Sequence, residues 1–157
     1  MNLIQVAQAK IRGLEYDFRH YTLEGFIKHI ETFTGRKIKL FYKAMPPGRT
    51  GAWISDGEGE WEFIFIASNK PLIIQQLSIF HEVGHLLLGH STLVVTRAEL
   101  VNQVQNLQLV RWRSTRVDIE DKEAEAFALL IQKELLQHAR YSDLSGIENF
   151  ADAVGMI

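Results

Sequence analysis

Two histidines and one glutamate in the run His81-Glu82-Val83-Gly84-His85 are the residues of this chain best suited to chemistry, and they match the pattern H-E-x-x-H. On an α-helix, residues i and i+4 lie on one face about one turn apart, so both imidazoles can bind a single metal ion. A catalytic zinc site uses three protein ligands and a water. We therefore predict that His81 and His85 bind Zn²⁺ and that Glu82 is the general base that takes a proton from the water.

The segment that carries this motif is predicted to be a largely buried helix. From Leu77 to Leu88 the apolar residues recur near helical period. Pro71 suits the first turn, and Ser68 or Asn69 is a candidate N-cap. The alternative is that the two histidines only pack in a core with their hydrogen bonds satisfied. The charge of Glu82 argues against that alternative, because a buried carboxylate without a partner is costly.

The elements that must position the motif predict an α+β fold. Helices are predicted over 2–11, 22–34 and 119–138, and strands over 37–42, 51–55 and 61–67. The turn at 56–59 is of the type that joins two strands as a hairpin. If the strand Trp61–Ala67 lies at an edge of the sheet, an extended polypeptide could pair with it as a substrate.

Composition limits the class of protein. The chain has 157 residues, of which 46% are hydrophobic and 23% charged, and this predicts one globular domain over 1–157. The net charge of −2 gives no general reason to expect nucleic acid as a partner. The absence of cysteine excludes disulfides and thiolate metal sites. Without a signal peptide or a long apolar run, we expect a cytoplasmic protein with no membrane partner.

The sequence of residues 91–116 does not predict one structure or role, because a helical spacing of apolar residues is combined with basic and aromatic side chains. The basic and aromatic residues are Arg97, Arg111, Trp112, Arg113 and Arg116. A patch of this kind can bind nucleic acid. In a nearly neutral protein we favour an exposed face, a flexible insertion or a mobile segment, and we do not expect direct binding of nucleic acid.

The third metal ligand must come from another part of the chain. A metzincin would supply a histidine at the position of Ser91, and His90 lies one residue too early for that class. Acidic residues crowd the start of the helix predicted over 119–138: Asp118, Glu120, Asp121, Glu123 and Glu125. Such a cluster is also explained by the preference of carboxylates for a helix N-terminus. We predict that this cluster supplies the third ligand.

The run HEVGHLLLGH at 81–90, together with the later helix start DKEAEAFA at 121–128, resembles the ImmA/IrrE family of metallopeptidases. The MPPG loop at 45–48 and the strand-turn-strand before the motif also resemble small members of that family. The resemblance covers residues 22–138, which we take as the core of the domain. It implies a small zincin-like domain, in which a three-stranded, mainly antiparallel sheet packs on the motif helix and on a second helix that bears a ligand.

The family resemblance also ranks the acidic candidates. As in other gluzincins, the second helix usually reads E-x-x-A-[DN]-x-F-A, and its first glutamate binds the metal. Here Asp121 occupies that position, so the helix would have to approach more closely than a glutamate requires. Glu125 and then Glu120 are the alternative ligands. An acidic residue at the position of Glu125 can instead support a histidine of the site.

The resemblance implies a zinc-dependent endopeptidase that cleaves a helix-turn-helix transcriptional repressor in a phage, mobile-element, toxin–antitoxin or stress-response setting. Mn²⁺ or Fe²⁺ would also suit two imidazoles and a carboxylate. A donor to the oxyanion is needed as well, and the candidates for that role or for support of a ligand are His90, His138 and Tyr141, chosen by residue type alone. The alternative function is a non-catalytic regulator that keeps the fold and binds a protein partner.

Overall fold

The molecule is an α+β fold in which helices pack on one face of a four-stranded mixed sheet. The structure, a computed structural model, describes residues 2–90, 92–96, 98–99, 101 and 118–142. The arginines and Trp112 of the segment 91–116, and the tail after residue 142, lie outside this described part. The predictions made for them therefore stay predictions.

The helices lie close to their predicted positions. They are α1 (Leu3–Leu14), a short 3₁₀ helix (Phe18–His20), α2 (Leu23–Thr34), α3 (Leu72–Leu87) and α4 (Asp118–Ser142). Asn2 begins α1 with a capping box, since its side chain accepts from the Gln5 backbone N–H while Gln5 accepts from the Asn2 N–H. Thr22 caps α2 as predicted, by accepting from the N–H of Gly25. Among the described residues, no helix is both long and apolar enough to cross a membrane.

The sheet differs from the three-stranded, mainly antiparallel sheet that the sequence predicts. The strands are β1 (Lys37–Lys43), β2 (Gly51–Asp56), β3 (Trp61–Ala67) and β4 (Leu93–Val95), in the spatial order β1-β3-β2-β4. The predicted hairpin is present, because β2 and β3 pair antiparallel. However, β1 pairs parallel with β3, and β4 pairs parallel with β2. The two strands of each parallel pair are joined by a long connection, β1 to β3 through β2 and β2 to β4 through β3 and α3, because a tight turn cannot join parallel strands.

The strand Trp61–Ala67 is not an edge strand, so the condition under which it could pair with an extended substrate is not met. It lies between β1 and β2 and is paired along its whole length on one side and over most of it on the other. Its burial agrees with this position: every residue after Trp61 in the strand is buried. A strand that is covered on both faces reads as a nearly continuous apolar run rather than as a clean alternation.

The main core lies between the sheet and the helices. Phe26 of α2, Phe80 of α3 and Phe127 of α4 are fully buried there, with Ile64 and Ile66 from the central strand. The ring centroids of Phe26 and Phe80 are 5.5 Å apart with an edge-to-face orientation, which is a favourable aromatic geometry. This core holds α3 and α4 side by side, and the candidate site lies along their contact.

Candidate metal centre

Helix α3 brings the two motif histidines onto one face. It begins after Pro71, which occupies the N-cap position. The prediction that Ser68 or Asn69 is the N-cap is therefore wrong. Asn69 instead accepts a hydrogen bond from the Met45 N–H and donates one to the Met45 carbonyl, both at 3.0 Å. These bonds tie the MPPG loop to the residues that lead into α3.

Three potential ligand atoms converge where α3 meets α4. His81 Nε2 and His85 Nε2 are 3.0 Å apart, and Asp121 Oδ1 lies 3.1 Å from His85 Nε2 and 3.6 Å from His81 Nε2. Bonds of about 2.0–2.1 Å from zinc to nitrogen or oxygen give a tetrahedron whose edges are about 3.3 Å long. The three measured separations bracket that length, so the residues fit a zinc ion.

Among the acidic candidates, Asp121 is the residue whose carboxylate lies with the two histidines. Helices α3 and α4 lie in close contact at Gly84. A Cβ added to Gly84 would lie 2.9 Å from Phe127 Cδ1, so Phe127 would have to shift before any side chain could fit at that position. Gly84 therefore lets α4 approach α3 more nearly than any larger residue would. Glu125 lies in the wall of the adjacent cleft, and Glu120 is not part of the converging group.

A cleft of about 440 Å³ opens beside these ligands. His81, Glu82 and Asp121 line it on one side, and its apolar lining includes Leu77 and Leu129. Glu82 is only 4% exposed although it borders the cleft, so little of this side chain extends into water. The cleft thus joins a candidate metal position, a buried carboxylate and apolar surface.

The backbone of β2 forms another wall of this cleft. Strand β4 covers only Ile54–Asp56, and the earlier residues Gly51 and Ala52 line the cleft. The Ala67 N–H donates to the Thr50 carbonyl, so in the antiparallel pairing with β3 the alternate residue Gly51 directs its N–H and C=O away from β3. The first half of β2 is therefore the sheet edge that faces the cleft.

His90 lies behind His85, away from the cleft lining. His90 Nδ1 is 2.9 Å from His85 Nδ1, and His90 Nε2 is 2.9 Å from Glu123 Oε2. Gly89 has a φ of 68°, a left-handed conformation that turns the chain back over the end of α3. Of the two roles considered for His90, this position fits support of a ligand better than donation to an oxyanion.

Glu123 was missed as an individual site residue, since the sequence offers it only as one member of an acidic cluster. It lies two residues after Asp121 and therefore on a different face of α4. Its contact exists because His90 follows α3 rather than belonging to it. No local spacing in the sequence signals that contact.

His138 is not among the residues that line the cleft. His138 Nε2 is 3.5 Å from Glu134 Oε2, one turn earlier on α4. The side chain of Tyr141 lies outside the described part of the structure. Neither residue gains support as a donor to an oxyanion.

Comparison of the chain with protein-family models, with curated proteins and with solved structures found no match. A function for this chain must therefore be argued from its motif and from the geometry of the site.

Proposed function

We propose that this chain is a zinc-dependent endopeptidase of the ImmA/IrrE type and that its fold is zincin-like. One observation carries the proposal: Nε2 of His81, Nε2 of His85 and Oδ1 of Asp121 converge at separations that suit a zinc ion. Glu82 lines the same cleft as two of these ligands. A metal and a carboxylate base side by side in an open cleft are what metal-assisted hydrolysis requires.

In the proposed hydrolysis of a peptide bond, the metal and Glu82 have different roles. When bound, zinc would polarise the scissile carbonyl and lower the pKa of a nearby water. Glu82 takes a proton from the attacking water and delivers it to the nitrogen of the leaving amine. His85, which is fully buried, serves only as a ligand, whereas His81 and Asp121 border the cleft and also limit how the substrate approaches.

The substrate proposed for this cleft is a polypeptide in extended conformation. Gly51 at the start of β2 supports this proposal, since its N–H and C=O point away from β3 beside the cleft and can pair with an added strand. The apolar side chains of Leu77 and Leu129 would contact a hydrophobic residue of that strand. The strand Trp61–Ala67, for which this role was conditional on an edge position, lies inside the sheet.

The resemblance of the motif and of the second helix to ImmA/IrrE proteins supports a helix-turn-helix repressor as the substrate, in a phage, mobile-element, toxin–antitoxin or stress-response setting. Because an edge strand accepts extended backbone, the cleaved bond would lie in a loop or a linker of the repressor rather than in one of its helices.

Metal analysis of freshly purified protein tests the ligand set. The wild-type chain should hold about one zinc ion, as a single three-ligand site requires. His81→Ala should lose it. The matched control is His20→Ala, which removes an exposed histidine remote from the cleft and should retain the metal. Equal metal content in all three proteins would contradict the assigned site.

Cleavage is tested with a mixed peptide library and mass spectrometry. The zinc-loaded chain should cut peptides within extended segments, a chelator should stop the cutting, and added zinc should restore it. A chain that holds zinc in this site yet cuts neither the library nor a helix-turn-helix repressor would contradict the proposed activity. That result would favour the non-catalytic regulator.

A further inference from the structure

His85 is held from both sides by the first two turns of α4. Its Nε2 lies 3.1 Å from Asp121, and its Nδ1 reaches Glu123 through His90. The intermediate imidazole is itself well enclosed, with a His90 side chain that is 6% exposed. The backbone N–H of His90 also donates to the His85 carbonyl at 3.0 Å, which fixes the two rings relative to one another.

The direction of each hydrogen bond from His85 through His90 to Glu123 follows from the Glu123 carboxylate. A carboxylate only accepts, so His90 in its neutral form carries its proton on Nε2 and donates it to Glu123. His90 Nδ1 is then an acceptor, and His85 must donate to it from Nδ1. The proton of His85 therefore lies on Nδ1, and its Nε2 keeps the lone pair that a metal needs.

The opposite arrangement is disfavoured. If His85 carried its proton on Nε2, its Nδ1 would accept from His90 Nδ1, and the lone pair of His90 Nε2 would face the Glu123 carboxylate at 2.9 Å. Two acceptors at that distance repel one another, and the His90 side chain, which is 6% exposed, cannot turn to water instead. With the proton of His85 on Nδ1, its Nε2 also faces a carboxylate, that of Asp121 at 3.1 Å, but the Asp121 side chain is 51% exposed to water, and His81 Nε2 at 3.0 Å can donate to His85 Nε2.

We infer that Glu123, acting through His90, fixes the proton of His85 on Nδ1 and so keeps Nε2 ready to bind the metal. Both are positioning residues, and the inference rests on the proposed function because it gives His85 the role of a metal ligand. Partners that orient a ligating histidine typically account for about 10- to 100-fold in metal affinity.

The first test is spectroscopic and does not need the metal. Long-range ¹H–¹⁵N spectra of the metal-free wild-type chain should show His85 protonated on Nδ1 and His90 on Nε2. In Glu123→Leu, which removes the acceptor, His85 should also populate the form protonated on Nε2. A wild-type His85 protonated on Nε2 would overturn the inference.

The second test is zinc affinity, measured by competition with a chelator. Glu123→Leu should weaken binding by about 10- to 100-fold, and Glu123→Gln, which keeps an acceptor oxygen, should weaken it less. The control is Glu134→Leu, which removes a carboxylate that faces His138 elsewhere on α4 and should leave affinity unchanged. If Glu123→Leu fails to fold, as judged by circular dichroism, Glu123→Gln carries the test.

The two proposals fail in different ways. A wild-type chain that binds no zinc would overturn the proposed function. A wild-type chain that binds zinc, with affinity unchanged within about twofold in both Glu123 variants, would overturn only the role given to Glu123 and His90.

Discussion

Two glutamates of this molecule are equally buried, each only 4% exposed, but their surroundings differ. Glu62 of β3 accepts hydrogen bonds from Trp53 Nε1 at 2.7 Å, Ser55 Oγ at 2.9 Å and Arg36 Nε at 3.0 Å. Glu82 of α3 instead borders a cleft together with His81 and Asp121. Burial alone therefore does not distinguish the carboxylate of the proposed active site from one that stabilises the sheet.

The difference lies in what the neighbours of each carboxylate can do. Those of Glu62 are donors from the sheet and from the residue before β1, so the carboxylate links β2, β3 and the start of β1. The neighbours of Glu82 include two groups suited to bind a cation, beside space for a substrate. We expect the loss of Glu62 to appear as lost stability and the loss of Glu82 as lost activity.

The largest expected effect separates the two glutamates by activity. Glu82→Gln should lower the rate of peptide cleavage by about 10²- to 10⁴-fold, because general base catalysis contributes that much. Zinc content should be unchanged, since Glu82 is not a ligand. Steady-state cleavage assays with metal analysis measure both quantities. Cleavage at the wild-type rate by Glu82→Gln would contradict the comparison.

The next effect separates the two glutamates by stability. Glu62→Gln should lower the free energy of unfolding by about 2–3 kcal/mol, because it places an amide donor among donors that need an acceptor. Urea denaturation of the metal-free protein measures it. The control is Glu60→Gln, whose exposed pair with Lys37 should change stability by less than about 1 kcal/mol. Equal effects of the two substitutions would show that the Glu62 network is not important for stability.

A smaller effect tests how packing of the helices sets the site. Gly84→Ala should push Phe127 and α4 outward, since its Cβ would lie 2.9 Å from that ring. Overpacking destabilises by about 1–3 kcal/mol and the better helix propensity of alanine stabilises by about 1 kcal/mol, so we expect a net loss of about 0–2 kcal/mol. Zinc affinity should also fall, because Asp121 moves away from the histidines.

The longer side chain of Asp121→Glu should then restore zinc binding in the Gly84→Ala background. In the wild-type background the same substitution should not improve binding. Chelator competition on all four proteins gives the coupling between the two positions. Strictly additive effects would show that the distance between α3 and α4 does not select aspartate.

The smallest effect concerns an exposed carboxylate. The side chain and backbone N–H of Arg19 donate to Asp17 and lower its pKa from 3.8 to about 2. Because the folded pKa lies below the unfolded value, this contact stabilises the protein above about pH 4, and the stabilisation is lost as pH falls toward 2. Solvent screens the pair, so the change in stability should be slight. An NMR titration of Arg19→Gln should return the pKa of Asp17 toward its ordinary value.

Local periodicity accounts for what the sequence predicted well. The motif helix, the second helix, Thr22 as a cap and the antiparallel hairpin of β2 and β3 all depend on residues close together in the chain. Helical spacing alone directs His81 and His85 to one face. These features agree with the structure because each is decided by neighbours within a few turns or one tight connection.

Long-range pairing accounts for what the sequence predicted badly. Strand β3 has a pattern that suits any buried strand, so its position between β1 and β2 could not be inferred from its own residues. Strand β4 has only three residues, and it was overlooked within a segment whose apolar residues suggested a helix. The sheet edge that faces the cleft is therefore the first half of β2, because Trp61–Ala67 is an inner strand.

The sequence by itself determined the chemistry that His81, Glu82 and His85 can perform, because their types and spacing on one helix are sufficient for it. Only the tertiary structure decided which acidic residue joins them. The contact of Gly84 with Phe127 sets how closely α4 approaches, and at that distance Asp121 reaches the histidines. The link from His85 through His90 to Glu123 was likewise decided by folding, since it joins residues that only the packing of two helices brings together.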